Sequence, residues 1–143
     1  MTRAYHELFL DDAMDTLGSA VEYAVLTCGM DGQEFLNLFV VCGIADAFGM
    51  GGVAYISGMS GIELARKTLE RTGKGGVPSG GDIVDGYSPE YWVGWILAYY
   101  QWYSGKPFRQ LFRYLKYQTV RTLYGALHEA DPSKAAAVFD QMA

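Results

Sequence analysis

A chain of 143 residues and 15.8 kDa fits one domain, able to bury roughly 70% of its unfolded surface without a disulfide or metal. With 50% hydrophobic and 19% charged residues it is neither disordered, collagen-like nor coiled-coil, and a net charge of −5 argues against nucleic-acid binding by the whole surface. Two cysteines make no disulfide scaffold, no signal peptide is evident, and the longest apolar run, Tyr91 to Tyr103, is too short for a bilayer, so a soluble cytoplasmic chain is expected.

Leu10, Ala13, Met14, Leu17, Ala20, Val21, Ala24, Val25 and Cys28 recur at three- and four-residue steps, which predicts a first helix stopped by Gly29. Asp11, Asp12 and Asp15 stand near its start, where carboxylates suit the helix dipole. Asp31-Gly32-Gln33-Glu34 has the form of a capping box and opens a second helix, expected to run to about Phe48. A glycine-rich connection follows from Gly49 to Gly58, in which Val53 to Ile56 reads as a short extended stretch. Ser60-Gly61-Ile62-Glu63 is a second capping box and starts a helix that ends near Gly73. The text from Gly73 to Tyr87 is rich in Gly, Pro and Asp and has no period, so a loop is expected there.

Ser88-Pro89-Glu90 is a strong helix start, with a capping serine and proline at the first helical position. The helix it opens, residues 91–103, is apolar or aromatic nearly all round, the pattern of a buried central element. Within it, Gly94 and Ala98 form a narrow face that lets another helix approach closely. Ser104 to Pro107 breaks this helix and starts a basic one with a stripe of Phe108, Leu111, Phe112 and Leu115. A segment around Val120 to Leu127 and a last helix capped at Asp131-Pro132 complete the chain. The expected fold is an all-α, single-domain bundle of six or seven helices around the central aromatic helix.

Catalytic templates fit poorly. Cys28, Cys42, His6 and His128 lack the paired spacing of a zinc site, and Pro132 stands where a second histidine would complete His128-Glu129 as a metalloprotease motif. Gly73-Lys74-Gly75-Gly76 and Gly49-Met50-Gly51-Gly52 lack the preceding strand that phosphate and dinucleotide loops require. Ser57, Ser60 or Cys42 with a histidine would make a nucleophile–base pair, but Ser60 reads as a cap and Cys42 as a core residue. Asp11 with Asp15, and Asp82 with Asp85, stand where acids are ordinary. No metal, no cofactor and no enzymatic activity are therefore expected.

Charge is segregated. Residues 1–63 hold nine acids and one base, whereas 101–128 hold five bases and no acid. Lys106, Arg109, Arg113 and Lys116 step by three and four along one predicted helix face, which suits an anion or nucleic acid if it is more than a solvated face. The turn at Ser104-Gly105 between two helices loosely suggests a helix-turn-helix, although the first helix looks too buried for it. Asp11, Asp12, Asp15 and Glu22, with tyrosines near the 73–87 loop, are the matching candidates for a basic partner protein. A dimer joining the acidic and basic faces would use both.

The segments Ser57 to Ala65 (SGMSGIELA) and Tyr87 to Gly105 (YSPEYWVGWILAYYQWYSG) resemble a family of small all-helical proteins of anaerobic gut bacteria. That family is associated with toxin–antitoxin-like gene neighbourhoods, sometimes beside ADP-ribosyltransferase-like proteins. The resemblance extends from about Tyr5 to Asp140. It implies a neutralising or accessory partner and transfers no activity and no catalytic residue. Three readings stand: an interaction protein of antitoxin, immunity or inhibitor type with a partner encoded nearby; a small DNA-binding regulator using 106–116; and an enzyme or ligand binder with its site under the 73–87 loop.

Overall fold

A computed structural model describes residues 2–75 and 85–143, and among these every regular element is helical. After a 3₁₀ turn at Glu7–Phe9, helix α1 (Leu10–Glu22) passes into a single π-helical turn at Tyr23–Thr27. Cys28 N–H accordingly donates to the Tyr23 carbonyl, five residues back, at 3.0 Å. Gly29, at φ +67°, ends the helix and lets Met30 N–H reach the Ala24 carbonyl. There follow α2 (Gly32–Val41), α3 (Ile44–Gly49), α4 (Val53–Ile56) and α5 (Gly61–Arg71). Beyond the undescribed residues come α6 (Pro89–Ser104), α7 (Phe108–Leu111), α8 (Tyr117–Thr122), α9 (Tyr124–Leu127) and α10 (Pro132–Met142).

Ten helices rather than six or seven are thus present among the described residues, and the three extra ones have local causes. Gly43 adopts φ +87°, a left-handed conformation that splits the predicted 31–48 helix into α2 and α3. Val53 to Ile56 is not extended: Ser57 and Gly58 N–H both bond to the Val53 carbonyl, closing one helical turn as α4. At Leu123 the bonding tightens, its N–H reaching back three residues to the Val120 carbonyl, and this divides the 120–127 segment into α8 and α9. The 73–87 loop lies outside the described residues from 76 to 84, together with Asp82.

The most extensive pairing joins α1 to α6, which also touches α8, α9 and α10. The crossing is glycine-mediated. A Cβ on Gly94 would stand 2.3 Å from the Leu17 carbonyl oxygen and 2.8 Å from Gly18 Cα. On its other flank α1 takes α5 just as closely, a Cβ on Gly61 falling 2.3 Å from Ser19 Cβ. One hydrophobic cluster fills the space between the helices, from Leu10, Leu17 and Val21 through Phe35, Phe39 and Phe48 to Tyr100, Phe108 and Phe139. Phe39, Phe48 and Phe108 meet edge to face in it, with centroids 5.5 to 5.9 Å apart.

Several polar groups inside this core find partners far along the chain, whereas the Tyr5 and Tyr114 hydroxyls and Gln101 Oε1 have none among the described residues. The side-chain amide of Gln101 donates to the carbonyls of Gly49 and Lys106, each at 3.0 Å. Buried Glu90 holds Arg121 in an ion pair, and the Tyr117 phenol faces the same carboxylate. Burial, reinforced by that charge, pushes the Tyr117 pKa up to about 12. Near the N-terminus the Arg3 guanidinium lies 4.1 Å from the Tyr103 ring centroid, and the Trp102 indole N–H donates to the Tyr5 carbonyl at 2.8 Å.

Of the predicted caps, Ser60 forms a complete capping box with Glu63, and Ser88 and Asp131 each accept from their own first turn. Replacing Ser60 by alanine is expected to cost about 1 kcal/mol of stability. Urea denaturation followed by circular dichroism checks this, and unchanged stability would deny the cap its role.

Candidate functional site

The acids of α1 divide into two kinds. Asp11, Asp12 and Asp15 lie on the outer side of the helix, exposed, because Ala13, Met14 and Leu17 occupy the inner side. Asp12 accepts a hydrogen bond from the Ser57 hydroxyl at 2.7 Å, and Asp15 accepts one from the Tyr91 phenol. Between them and the start of α5 is an open cavity of about 350 Å³ with a mixed lining that includes Ser19 and Ser60 as well as Met59 and Ile62. One turn earlier Leu8 stands 78% exposed beside Glu7, an apolar side chain within the acidic face. No cation pairs with these three aspartates among the described residues, whereas Asp46 is paired with Arg109 and Glu90 with Arg121.

Glu22 does not belong to that face. Its residue is only 3% exposed, and its carboxylate accepts from the N–H groups of Asp85 (2.6 Å) and Gly86 (3.3 Å) and from the Ser88 hydroxyl. Ser88 in turn accepts from Tyr91 N–H, so Glu22 anchors the start of α6 rather than a partner. The correction has a clear cause: the last turn of α1 lies beneath the 85–88 segment, which removes Glu22 from water.

The basic segment also departs from the single helix expected over 106–116. Residues 106–116 do not form one helix: α7 ends at Leu111, and Arg113 and Tyr114 N–H bond three residues back. Tyr117 N–H donates to the Gln33 side chain at 2.7 Å, tying the start of α8 to α2 and turning the chain at Lys116. Arg109, Arg113 and Lys116 still meet around an open hollow of about 460 Å³ beside Val41 and Phe112. Lys106 is not among them, and a helix-turn-helix loses its second helix. Arg109 is held by Asp46 at 2.7 Å, which leaves Arg113 and Lys116 as the exposed cations of that hollow.

A third feature joins the end of the predicted loop to α6 and α9. Tyr87, Tyr91, Trp92, Trp95, Tyr124 and His128 line a cleft of about 200 Å³, floored in part by Gly86 and Ser88. Trp92 and Tyr124 meet edge to face, and His128 stacks on Tyr124 at 4.0 Å between centroids. His128 Nδ1 lies 2.7 Å from the Tyr124 carbonyl oxygen, an acceptor, so Nδ1 carries a hydrogen. Tyr91 belongs to both regions, its ring in the cleft and its hydroxyl on Asp15. Burial, with the Asp15 hydrogen bond and charge adding to it, raises the Tyr91 pKa far above that of a free phenol. The sequence offers tyrosines near the loop and His128 as a candidate base, but not Tyr124; the partnership of Tyr124 and His128 with Trp92 and Trp95 depends on α9 folding back across α6.

No group of His, Cys, Asp and Glu able to hold a metal ion occurs among the described residues, and no described helix is long and apolar enough to cross a membrane. Cys28 and Cys42 are both free thiols. No family model, no curated protein and no solved structure matches this chain.

Proposed function

We propose that this chain is a non-enzymatic interaction module that docks a basic surface of a partner protein on the outer face of α1. Asp11, Asp12 and Asp15 carry the contact, and Leu8 adds an apolar anchor at its edge. The observation that supports this reading is the clustering of three exposed aspartates within five positions on one side of α1, with no cation paired to any of them among the described residues. Unpaired like charges beside an open cavity repel one another, and a cationic partner relieves that repulsion while steering association. An antitoxin, immunity or inhibitor role, with the partner encoded nearby, follows from the family resemblance of the 57–65 and 87–105 segments.

Co-expression with the flanking genes, followed by size exclusion with light scattering, tests the reading. The expected result is a stoichiometric protein companion. The double substitution Asp11→Lys with Asp12→Lys is expected to weaken that complex at least tenfold, while Glu34→Lys on α2 leaves it intact. A complex indifferent to the double substitution would remove the acidic face from the interface. The hollow at Arg113 and Lys116 supports a second reading, an anionic partner such as nucleic acid. A raised 260/280 nm absorbance ratio that disappears with Arg113→Ala and Lys116→Ala would move the function there.

A further inference from the structure

We infer that the cleft between α6, α9 and the 86–88 segment is a binding site for an organic cation, a methylated ammonium or a guanidinium group. The site is separate from Asp11 and Asp12 and shares only Asp15 with the acidic face, through the Tyr91 hydroxyl. Five aromatic residues and His128 from two distant stretches of chain, 87–95 and 124–128, converge on a space of about 200 Å³, the scale of one small headgroup rather than an extended ligand. Trp95 and Tyr124 are half-buried and so present part of their rings to solvent, while Trp92 is buried behind them. Tyr87, 81% exposed, stands at the rim, and its carbonyl accepts from the Tyr124 phenol at 3.3 Å, which ties rim to wall.

One general property of aromatic rings and one observation separate a cation site from an ordinary apolar one. Aromatic faces carry negative electrostatic potential, which attracts an organic cation and offers a neutral group of equal shape nothing extra. The formal charges around the cleft are also mostly negative. Glu22 lies directly under Gly86 and Ser88, Asp15 holds the Tyr91 hydroxyl, and Glu129 stands 3.8 Å from His128 Nε2. The nearby guanidinium of Arg121 is engaged by Glu90. A weakly hydrated cation gains from both the rings and this field, and it enters the cleft without the heavy desolvation that a primary ammonium or metal ion would incur.

Tryptophan fluorescence and NMR titrations of the intact protein at pH 8 test the assignment. Choline is the free-cation probe, 3,3-dimethylbutan-1-ol its neutral isostere, and a short trimethyllysine peptide the probe for a partner-borne cation. Choline and the peptide are expected to bind saturably, and the neutral alcohol at least tenfold more weakly. A peptide that outbinds choline identifies the source as a partner's side chain; the reverse order identifies a free small cation. Trp95→Leu and Tyr87→Ala are each expected to weaken binding several-fold. Tyr87 is a rim residue whose loss leaves the core untouched, so it stands in if Trp95→Leu fails to fold. Equal binding of choline and the alcohol, or no saturable binding of either cation, overturns the assignment. Loss of the acidic-face complex by Asp11→Lys with Asp12→Lys leaves this titration unchanged, which keeps the two readings separable.

Discussion

Replacing Gly94 by alanine is expected to lower stability by about 2–3 kcal/mol, equivalent to about 5–10 °C in Tm for a domain of this size. The added methyl would sit 2.3 Å from the Leu17 carbonyl oxygen, 2.7 Å from its carbon and 2.8 Å from Gly18 Cα. All three are backbone atoms, so no side chain swings aside to relieve the clash. The α1 helix must move as a unit away from α6, and α5, locked against the opposite flank at Gly61, must follow it. The net cost is already reduced by about 1 kcal/mol through the better helix propensity of alanine. Gly125 in α9 supplies the control, since nothing lies within 4 Å of a Cβ built there. Gly125→Ala is expected to stabilise by a few tenths of a kcal/mol to about 1 kcal/mol. Urea denaturation of both variants decides the matter: a Gly94→Ala protein as stable as the parent would mean that the two helices do not cross so closely.

Glu22→Ala is the second substitution with a large expected cost, about 3 kcal/mol. The truncation leaves the N–H groups of Asp85 and Gly86 and the hydroxyl of Ser88 facing a hole where a carboxylate had accepted from all of them. Bonds to a charged acceptor are among the stronger ones, and the donors left behind are partly buried. The damage also spreads, because Ser88 is the N-cap of α6 and its orientation depends on Glu22. Ser88→Ala alone removes the cap and is expected to cost only about 1 kcal/mol. Amide hydrogen exchange provides the local readout: at Asp85 and Gly86 it is expected to be faster in Glu22→Ala than in Ser88→Ala, and at Tyr91, whose N–H bonds to Ser88 itself, the order is expected to reverse. Exchange unchanged from the parent would return Glu22 to the solvent-facing acids.

Much of the helical frame was legible because its signals are local. Ser60 with Glu63, and Ser88 with Pro89, announce helix starts through bonds that span only three residues, and the Gly94 face is visible from spacing alone. The breaks were harder to see. Gly43 inside a helical pattern costs about 1 kcal/mol and so does not by itself mark an end; only its left-handed backbone splits α2 from α3. The end of the basic segment depends on Gln33, which captures Tyr117 N–H from 84 positions away, and no periodicity carries that contact. Glu22 illustrates the same limit at the candidate site. On a helix beside three exposed aspartates it reads as a fourth, and its true partners lie 63 to 66 positions along the chain. The acidic face was visible as charge, and the aromatic cleft as an excess of tyrosine and tryptophan, but the joining of the two through Tyr91 is a product of topology.

The most extensive helix pair, α1 with α6, also has a kinetic consequence. Asp15 and Tyr91, which meet across that pair, are 76 positions apart, so α1 cannot find its main partner as a simple neighbouring hairpin. Closing a loop of that length costs more chain entropy than the short turns of an up-and-down bundle, and the reward of packing comes only after closure. Until then α1 presents Leu17, Val21 and its glycine groove with nothing against them, and the order of synthesis lengthens that interval, since α6 emerges long after α1. Folding is therefore held to the pace of a long-range encounter, slower than its wholly helical content suggests.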